Sequence, residues 1–382
     1  MAIALGVIIM MISIATGVGL QRKIKEKISG FNGHVLITNF EDNNSQITIA
    51  PISINQPFYP KFTDVSGIEN VQTFATKAGV IRTENDFEGI VYKGVNTDYN
   101  WTFFKDYLVE GELLNITDKR TDKVLISKIT AERLGFKTGD TFNVFFMKEE
   151  DINAAPNVRV FSVAGIYDTG FQEFDETYLI GDIKQVQRLN KWEPDQVGGF
   201  EVLLDDFDKL NEKGREIYNS IPSTLNAQTI AEKYSAIFEW LNLLDTNIVV
   251  IIVIMVLIAG INMITALLVL ILERTQMIGI LKSMGSTNFS IRKVFLYNAA
   301  YLIFIGLLWG NILGIGILLL QKYTGFLKLN PENYYVAEAP VYIGWSYIML
   351  LNIGTLILCL LMLLIPSYII SKISPVKAIK FD

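Results

Sequence analysis

The segment Leu272–Lys293, "LERTQMIGILKSMGSTNFSIRK", carries one acid and four cations, yet Met277, Ile278, Ile280, Leu281 and Met284 recur in it at helical spacing. It separates two of the most apolar stretches of the chain, Ile248–Leu272 and Val294–Leu320. The five apolar residues fall on one side of a helix, Gly285 supplies a stop, and Ser286 or Thr287 can cap the helix that follows. Each of Glu273, Arg274, Lys282 and Arg292 would cost about 2.5 to 3.5 kcal/mol at a bilayer centre, so the segment is not a buried span. It reads as a short amphipathic helix at a membrane surface. A helix with a bare apolar side lies on lipid or fits a groove of another protein. The company of Glu273, Thr275 and Gln276 favours the groove.

Working outward, Ala2–Leu20 and roughly Tyr347–Ile370 are further apolar blocks. Each of the four is long enough to cross about 30 Å of hydrocarbon at about 1.5 Å per helical residue. The chain of 382 residues is 51% hydrophobic, with a mean hydropathy of +0.34, as expected of a membrane protein. Between Gln21 and Leu244 there are 24 Lys and Arg against 34 Asp and Glu, whereas Asp245–Asp382 has 9 against 5. The acidic middle argues against nucleic acid as a partner, because phosphate binding needs a basic face. One cysteine, Cys359, and one histidine, His34, exclude a disulfide framework and a His/Cys metal cluster.

Lys and Arg near span ends mark the cytoplasmic side. Arg274, Lys282, Arg292 and Lys293 put the second-to-third loop inside, and Lys372, Lys377 and Lys380 put the C-terminus there. The large middle domain is then outside. Arg22, Lys23, Lys25 and Lys27 conflict with this, since they follow the first span on what becomes the outer side. No charged flank precedes Met1, so a longer natural N-terminus is expected. A signal peptide is disfavoured by the missing basic leader and by the charged run that continues the helix.

From Gln228 to Gln276 there is no Pro, and Gly260 is the only Gly. A continuous helix there would extend about 75 Å and project well beyond the membrane, with Tyr234, Ile237, Phe238, Leu241 and Leu244 as its apolar stripe. The first span likewise overruns to Gly30, an expected C-terminal cap. The expected layout is a first span and stalk over 1–30 and an outer α+β domain over 31–228, in two lobes with an insertion near 100–195. A second stalk and span follow over 229–272, the cytoplasmic helix over 273–290 and the third span over 291–320. A short outer loop at 321–344, the fourth span at 345–371 and a tail at 372–382 complete it.

Within the middle domain, "HVLITNF", "AGVIRT", "FEGIVYKGV", "TFNVFF", "VRVFSVAGIY" and "GGFEVLLDD" read as strands. "SKITAERLGFKTGD" reads as a helix stopped by Gly135, with a turn at Thr138–Asp140. "MKEEDINAAPNV", ending in Pro156 before a return strand, exceeds a tight hairpin turn and projects as an arm or forms a solvated loop. Asp205, Asp206 and Asp208 are the best case for catalysis and read better as a solvated strand end. Gly306, Gly310 and Gly314 make two G-x-x-x-G steps in the third span, suited to close packing within the chain or in a dimer.

"ERTQMIGILKSMGST" resembles the E-R-x-x-E-I-G-x-x-[KR]-[AS]-x-G-[AS] segment of the FtsX-like, MacB-type permeases of ABC transporters. "GFNGHVLITNF", "VRVFSVAGIYDTGFQEFD" and "ISPVKAIKFD" look most like the lipoprotein-releasing LolC and LolE branch. The resemblance implies that Glu273–Gly285 is a coupling helix seated in a separate LolD-like ATPase, with Glu273, Arg274, Thr275, Gln276, Ile278, Gly279, Leu281, Lys282 and Gly285 as its residues. The family's second acid is Met277 here, and the family's cytoplasmic N-terminal flank is missing. ATP and magnesium would belong to that partner, since the chain has no G-x-x-x-x-G-K-[ST] loop. The resemblance also implies a second permease, identical or a paralogue, contact with membrane lipid, and lipoprotein substrates handed to a LolA-like periplasmic chaperone. A hook for that chaperone would lie at Met147, Lys148, Glu149, Glu150, Asp151, Ile152, Pro156 and Arg159. Ile9, Ile12, Val249 and Ile252 would line the acyl-chain site. A MacB-type efflux permease and an FtsX-type signalling module are the alternatives; catalysis by the chain itself is not expected.

Overall fold

The computed structural model describes residues 2–42, 47–48, 50–83, 86–147 and 155–372. Among these, four helices are long and apolar enough to cross a membrane: Ala2–Asn32, Ser235–Glu273, Asn288–Thr324 and Trp345–Ser371, the last interrupted at Tyr368. The chain divides into two compact units. A helical unit takes the residues through Arg22, Glu239–Leu329 and those from Glu338 on; a sheet unit takes Lys23–Phe238 and Asn330–Ala337.

In the helical unit, small side chains set how closely the spans approach. A Cβ on Gly17 of the first span would lie 2.3 Å from Ile248 Cδ1 of the second, and one on Gly260 would meet Met362 of the fourth. The third span is started by Thr287, whose hydroxyl accepts from Ser290 N, and stopped by Gly325 in the left-handed region at φ +58°. Pro366 near the end of the fourth span removes an amide donor from its last turns.

Among the described residues the sheet unit has twelve strands: β1 (Val35–Asn39), β2 (Ile52–Ser53), β3 (Ile68–Arg82), β4 (Phe87–Val95), β5 (Leu108–Gly111), β6 (Lys123–Ser127), β7 (Thr141–Phe146), β8 (Asn157–Tyr167), β9 (Tyr178–Asp182), β10 (Gln196–Val197), β11 (Gly199–Leu204) and β12 (Leu225–Thr229). The main sheet runs β12-β1-β11-β3-β4-β9-β6-β8-β5, with β7 paired to β3 and β8; β2 and β10 form a separate pair. The expected two lobes are one unit. Strands from the 100–195 insertion extend the sheet of the flanks through the parallel pair β4–β9 and through β3–β7. Phe31, Tyr92, Phe104, Phe146, Phe161, Tyr167, Phe174 and Phe200 are fully buried in its core. The helix Lys128–Leu134 is capped by Ser127 and stopped by Gly135 at φ +74°, as its sequence predicts.

Two helix ends differ from expectation. Gly30 is not a cap: the first helix continues to Asn32, and a Cβ on Gly30 would overlap the Phe103 ring, so glycine there permits close packing. The left-handed residue is Gly33, at φ +72°. The second long helix starts at Ser235 and not at Gln228, because Leu225–Thr229 is captured by β1 as an edge strand. Thr229 and Glu232 then form a capping box for one short turn, and Tyr234 at φ −108° breaks the helix before Ser235. The remaining 39 residues span about 58 Å at about 1.5 Å each.

The loop between the third and fourth spans contributes Asn330–Ala337 to the sheet unit. Tyr335, in the left-handed region at φ +57°, stacks on Phe171 at 4.9 Å, and its carbonyl accepts from Lys27 Nζ at 3.1 Å.

Candidate functional site: the helix between the second and third spans

The second span ends at Glu273, and Arg274 leaves helical geometry at φ −103°, ψ 17°. The Thr275 hydroxyl donates back to the carbonyls of Leu272 (2.8 Å) and Ile271 (3.0 Å), satisfying acceptors that the break releases. A nine-residue helix follows, Thr275–Ser283. Gly285 at φ +93° closes it, with Ser286 N donating to the Leu281 carbonyl at 3.0 Å, the 6→1 bond of a Schellman end. Thr287 caps the third span, so Ser286 serves the stop and Thr287 the restart.

The expected single apolar face is divided. Ile278 and Gly279 are buried and Leu281 half-buried, whereas Met277, Ile280 and Met284 are 40%, 46% and 78% exposed. Met277, Ile280 and Met284 stand at i, i+3 and i+7 on one outward side, with Glu273 one turn earlier. Glu273, Arg274 and Gln276 are exposed too. Lys282 departs from expectation, because its Nζ donates inward to the Ile370 carbonyl at 2.7 Å, at the end of the fourth span.

The glycine stripe has an occupant within the chain. Cβ atoms on Gly306, Gly310 and Gly314 would lie 2.9 Å from Ile3 Cβ, 2.9 Å from Val7 Cβ and 3.0 Å from Met11 Sδ, all on the first span. Of the residues expected at the acyl-chain site, Ile12 and Ile252 pack against the buried apolar cluster of the helical unit. Ile9 is half-buried, and Val249 is 58% exposed.

Of the residues expected in a hook, Met147 and Pro156 are exposed beside the ends of β7 and β8, while Lys148, Glu149, Glu150, Asp151 and Ile152 lie outside the described residues. Arg159 is not part of a projecting tip. It sits within β8 opposite Val144, half-buried, and burial together with Arg188 and Arg120 lowers its pKa. On the other side of the same strands, Val158 and Val160 are exposed opposite Phe145 and Asn143.

A family model of the MacB-like periplasmic core domain matches residues 1–217, and one of the FtsX-like permease C-terminal region matches 249–375. The chain belongs to the FtsX-like, MacB-type permeases. Among its relatives is the lipoprotein-releasing system transmembrane protein LolC of Haemophilus influenzae, 25% identical over 356 residues, which cover 88% of this chain and 85% of that one. LolE of the same organism is 22% identical over 390 residues, covering 99% and 92%. The crystal structure of the periplasmic region of MacB from Actinobacillus actinomycetemcomitans aligns with 53% of this permease and 91% of its own chain, at 16% identity and a TM-score of 0.35.

Two polar ties in the permease's helical unit escaped sequence reading. Gln21 Nε2 of the first span donates to Asp245 Oδ1 (2.7 Å) and the Leu241 carbonyl (3.1 Å) of the second. Asn311 and Asn352 exchange amide hydrogen bonds of 2.7 and 3.0 Å between the third and fourth spans, and each also donates to its own helix four residues back. Within apolar runs, lone Gln and Asn residues were the available signal.

Proposed function

We propose that this chain is a permease subunit of an ABC transporter that extracts lipoproteins from the bacterial inner membrane and delivers them to a periplasmic chaperone. Membrane orientation follows the cations of the second-to-third loop, which puts the sheet unit in the periplasm. A separate ATPase subunit binds ATP and magnesium, and a second permease, identical or paralogous, completes the assembly. The observation that carries the reading is the outward side of the helix Thr275–Ser283. Met277, Ile280 and Met284 form an apolar row left exposed among the described residues, preceded by Glu273 and Arg274. Such a row is the anchor pattern of a helix that seats in a partner's groove. Resemblance over nearly the whole chain to relatives named as lipoprotein-releasing supports the cargo.

ATP-driven closure of the partner moves this helix, and the long helices Ala2–Asn32 and Ser235–Glu273, which supply residues to both units, carry the displacement to the sheet unit. Apolar residues of the first two spans, with Ile12 and Ile252 foremost, contact the acyl chains. The region 147–159 meets the chaperone, aided by exposed Met147, Val158 and Val160. The test is charge reversal, Glu273→Lys with Arg274→Glu, in proteoliposomes holding the ATPase subunit, a lipoprotein and a soluble chaperone. Release is expected to fall about tenfold or more while ATP hydrolysis continues, since losing about 1.4 kcal/mol of docking energy already gives that factor. Unchanged release overturns the reading.

A further inference from the structure

The inward side of the same helix makes a second connection. Ile278 and Lys282 are one turn apart on that side. Ile278 is fully buried in the apolar cluster that also contains Ile291, Leu363 and Ile370. Beyond it, Lys282 Nζ reaches the last turn of the fourth span and donates to the carbonyls of Ile370 (2.7 Å) and Ser371 (3.5 Å). Carbonyls toward a helix's C-terminus carry the negative end of its dipole and have a second lone pair to offer, so an ammonium is matched to them in both hydrogen bonding and charge. One turn earlier, the Arg292 guanidinium donates to Ser367 Oγ at 3.1 and 3.3 Å, and that hydroxyl passes a bond to the Leu364 carbonyl at 2.7 Å. Pro366 and the interruption at Tyr368 make this the part of the span least held by its own backbone.

We propose that Lys282 is a positioning residue that ties the loop helix to the end of the fourth span, with Arg292 as the second tie, and that it does not touch the ATPase subunit. The loop helix is joined covalently to the second and third spans; these ties add the fourth, so displacement of one short helix is felt by three spans together. The inference rests on the proposed coupling to an ATPase, and its own test does not.

The test compares Lys282→Ala and Lys282→Arg in the full chain with its ATPase subunit in nanodiscs. Amide hydrogen exchange at residues 367–372 is expected to quicken about tenfold or more in Lys282→Ala, as loss of a charge-assisted hydrogen bond implies, and to return toward wild type in Lys282→Arg. The ATPase subunit is expected to copurify with Lys282→Ala, while lipoprotein released per ATP hydrolysed falls about fivefold with the KM for ATP unmoved. Should Lys282→Ala fail to fold, Lys282→Met keeps the apolar stem and removes only the donor. Unchanged exchange overturns the tie, as does loss of the ATPase subunit from the variant, because the ammonium would then serve docking. If the wild-type chain binds no ATPase subunit, the transport function fails, and the exchange measurement still decides the tie.

Discussion

Replacing Lys93 with methionine tests a fully buried ion pair of the sheet unit. Lys93 of β4 and Glu201 of β11 are 2% and 1% exposed and pair at 2.6 Å across the intervening β3. Glu201 also accepts from Gln72 Nε2 at 2.8 Å, and Lys93 donates to the Phe31 carbonyl at the end of the first helix. Burial lowers the lysine's pKa, with Glu201 opposing the shift. Lys93→Met keeps most of the side-chain volume and strands a carboxylate with one neutral donor. Removing one member of a buried pair costs about 3–5 kcal/mol. For a unit of this size, about 2–4 °C of Tm accompanies each kcal/mol, so the transition of the sheet unit drops by roughly 6–20 °C. Thermal unfolding of the full chain in detergent, with amide exchange along β4 and β11 to assign the transition, measures it. Adding Glu201→Gln removes the stranded charge and keeps a partner for Gln72, so the double variant recovers at least about half of the loss. A single variant within about 2 °C of wild type, or a double variant no better than the single, refutes the reasoning.

Gly310→Leu forces a side chain where a Cβ would already lie 2.9 Å from Val7 Cβ and 3.1 Å from the Ala4 carbonyl. It is expected to destabilise the helical unit by about 1–3 kcal/mol in unfolding from mixed micelles. Gly316→Leu, where nothing lies within 4 Å, is expected to be neutral, and equal losses in the two variants would remove the packing assignment. His34 accepts from Leu204 N at 3.0 Å, and burial lowers its pKa to about 4 from 6.5. Because the folded value is the lower one, neutral His34 contributes fully above pH 6.5, and up to roughly 3 kcal/mol is lost as pH falls from 6.5 through 4. His34→Gln should flatten that part of the stability profile; parallel profiles for the two proteins would show that another group titrates.

Four spans were legible because about twenty apolar residues in a row have few other uses. Gly135 and Gly285 were legible as stops because both end amphipathic runs and both take positive φ. Gly30 misled for the same reason. It follows a charged helical run, and nothing local announces that Phe103 needs the space of its missing side chain. Strand β9, buried along its whole length and parallel to β4, lacks the alternation that marks a half-exposed strand. Strand β12, "LNAQT", is polar and becomes a strand only by pairing with β1, some 190 residues earlier in the chain. Within Leu272–Lys293, helical spacing located five apolar residues on one side, but a side more than 100° wide can border two neighbours. Only the end of the fourth span, nearly ninety residues later, decides which residues turn inward.

That division bears on what covers the outward row. A helix lying on lipid needs a broad apolar face and free cations beside it for anionic headgroups. Here Lys282 is turned to the Ile370 carbonyl and Arg292 to Ser367, so two of the four cations that make the segment basic are engaged with the fourth span. Arg274 remains exposed at the helix start, next to Glu273, which repels the same headgroups. The outward face itself is narrow: Met277 and Ile280 of the nine-residue helix and Met284, its C-cap, in one column. The two methionines are pliable, unbranched fillers, suited to an irregular protein groove. A narrow apolar column with an acid at its head and two of the segment's four cations turned to the fourth span is better suited to a partner's cleft than to a membrane surface, and the inward tie through Lys282 contributes to that chemistry.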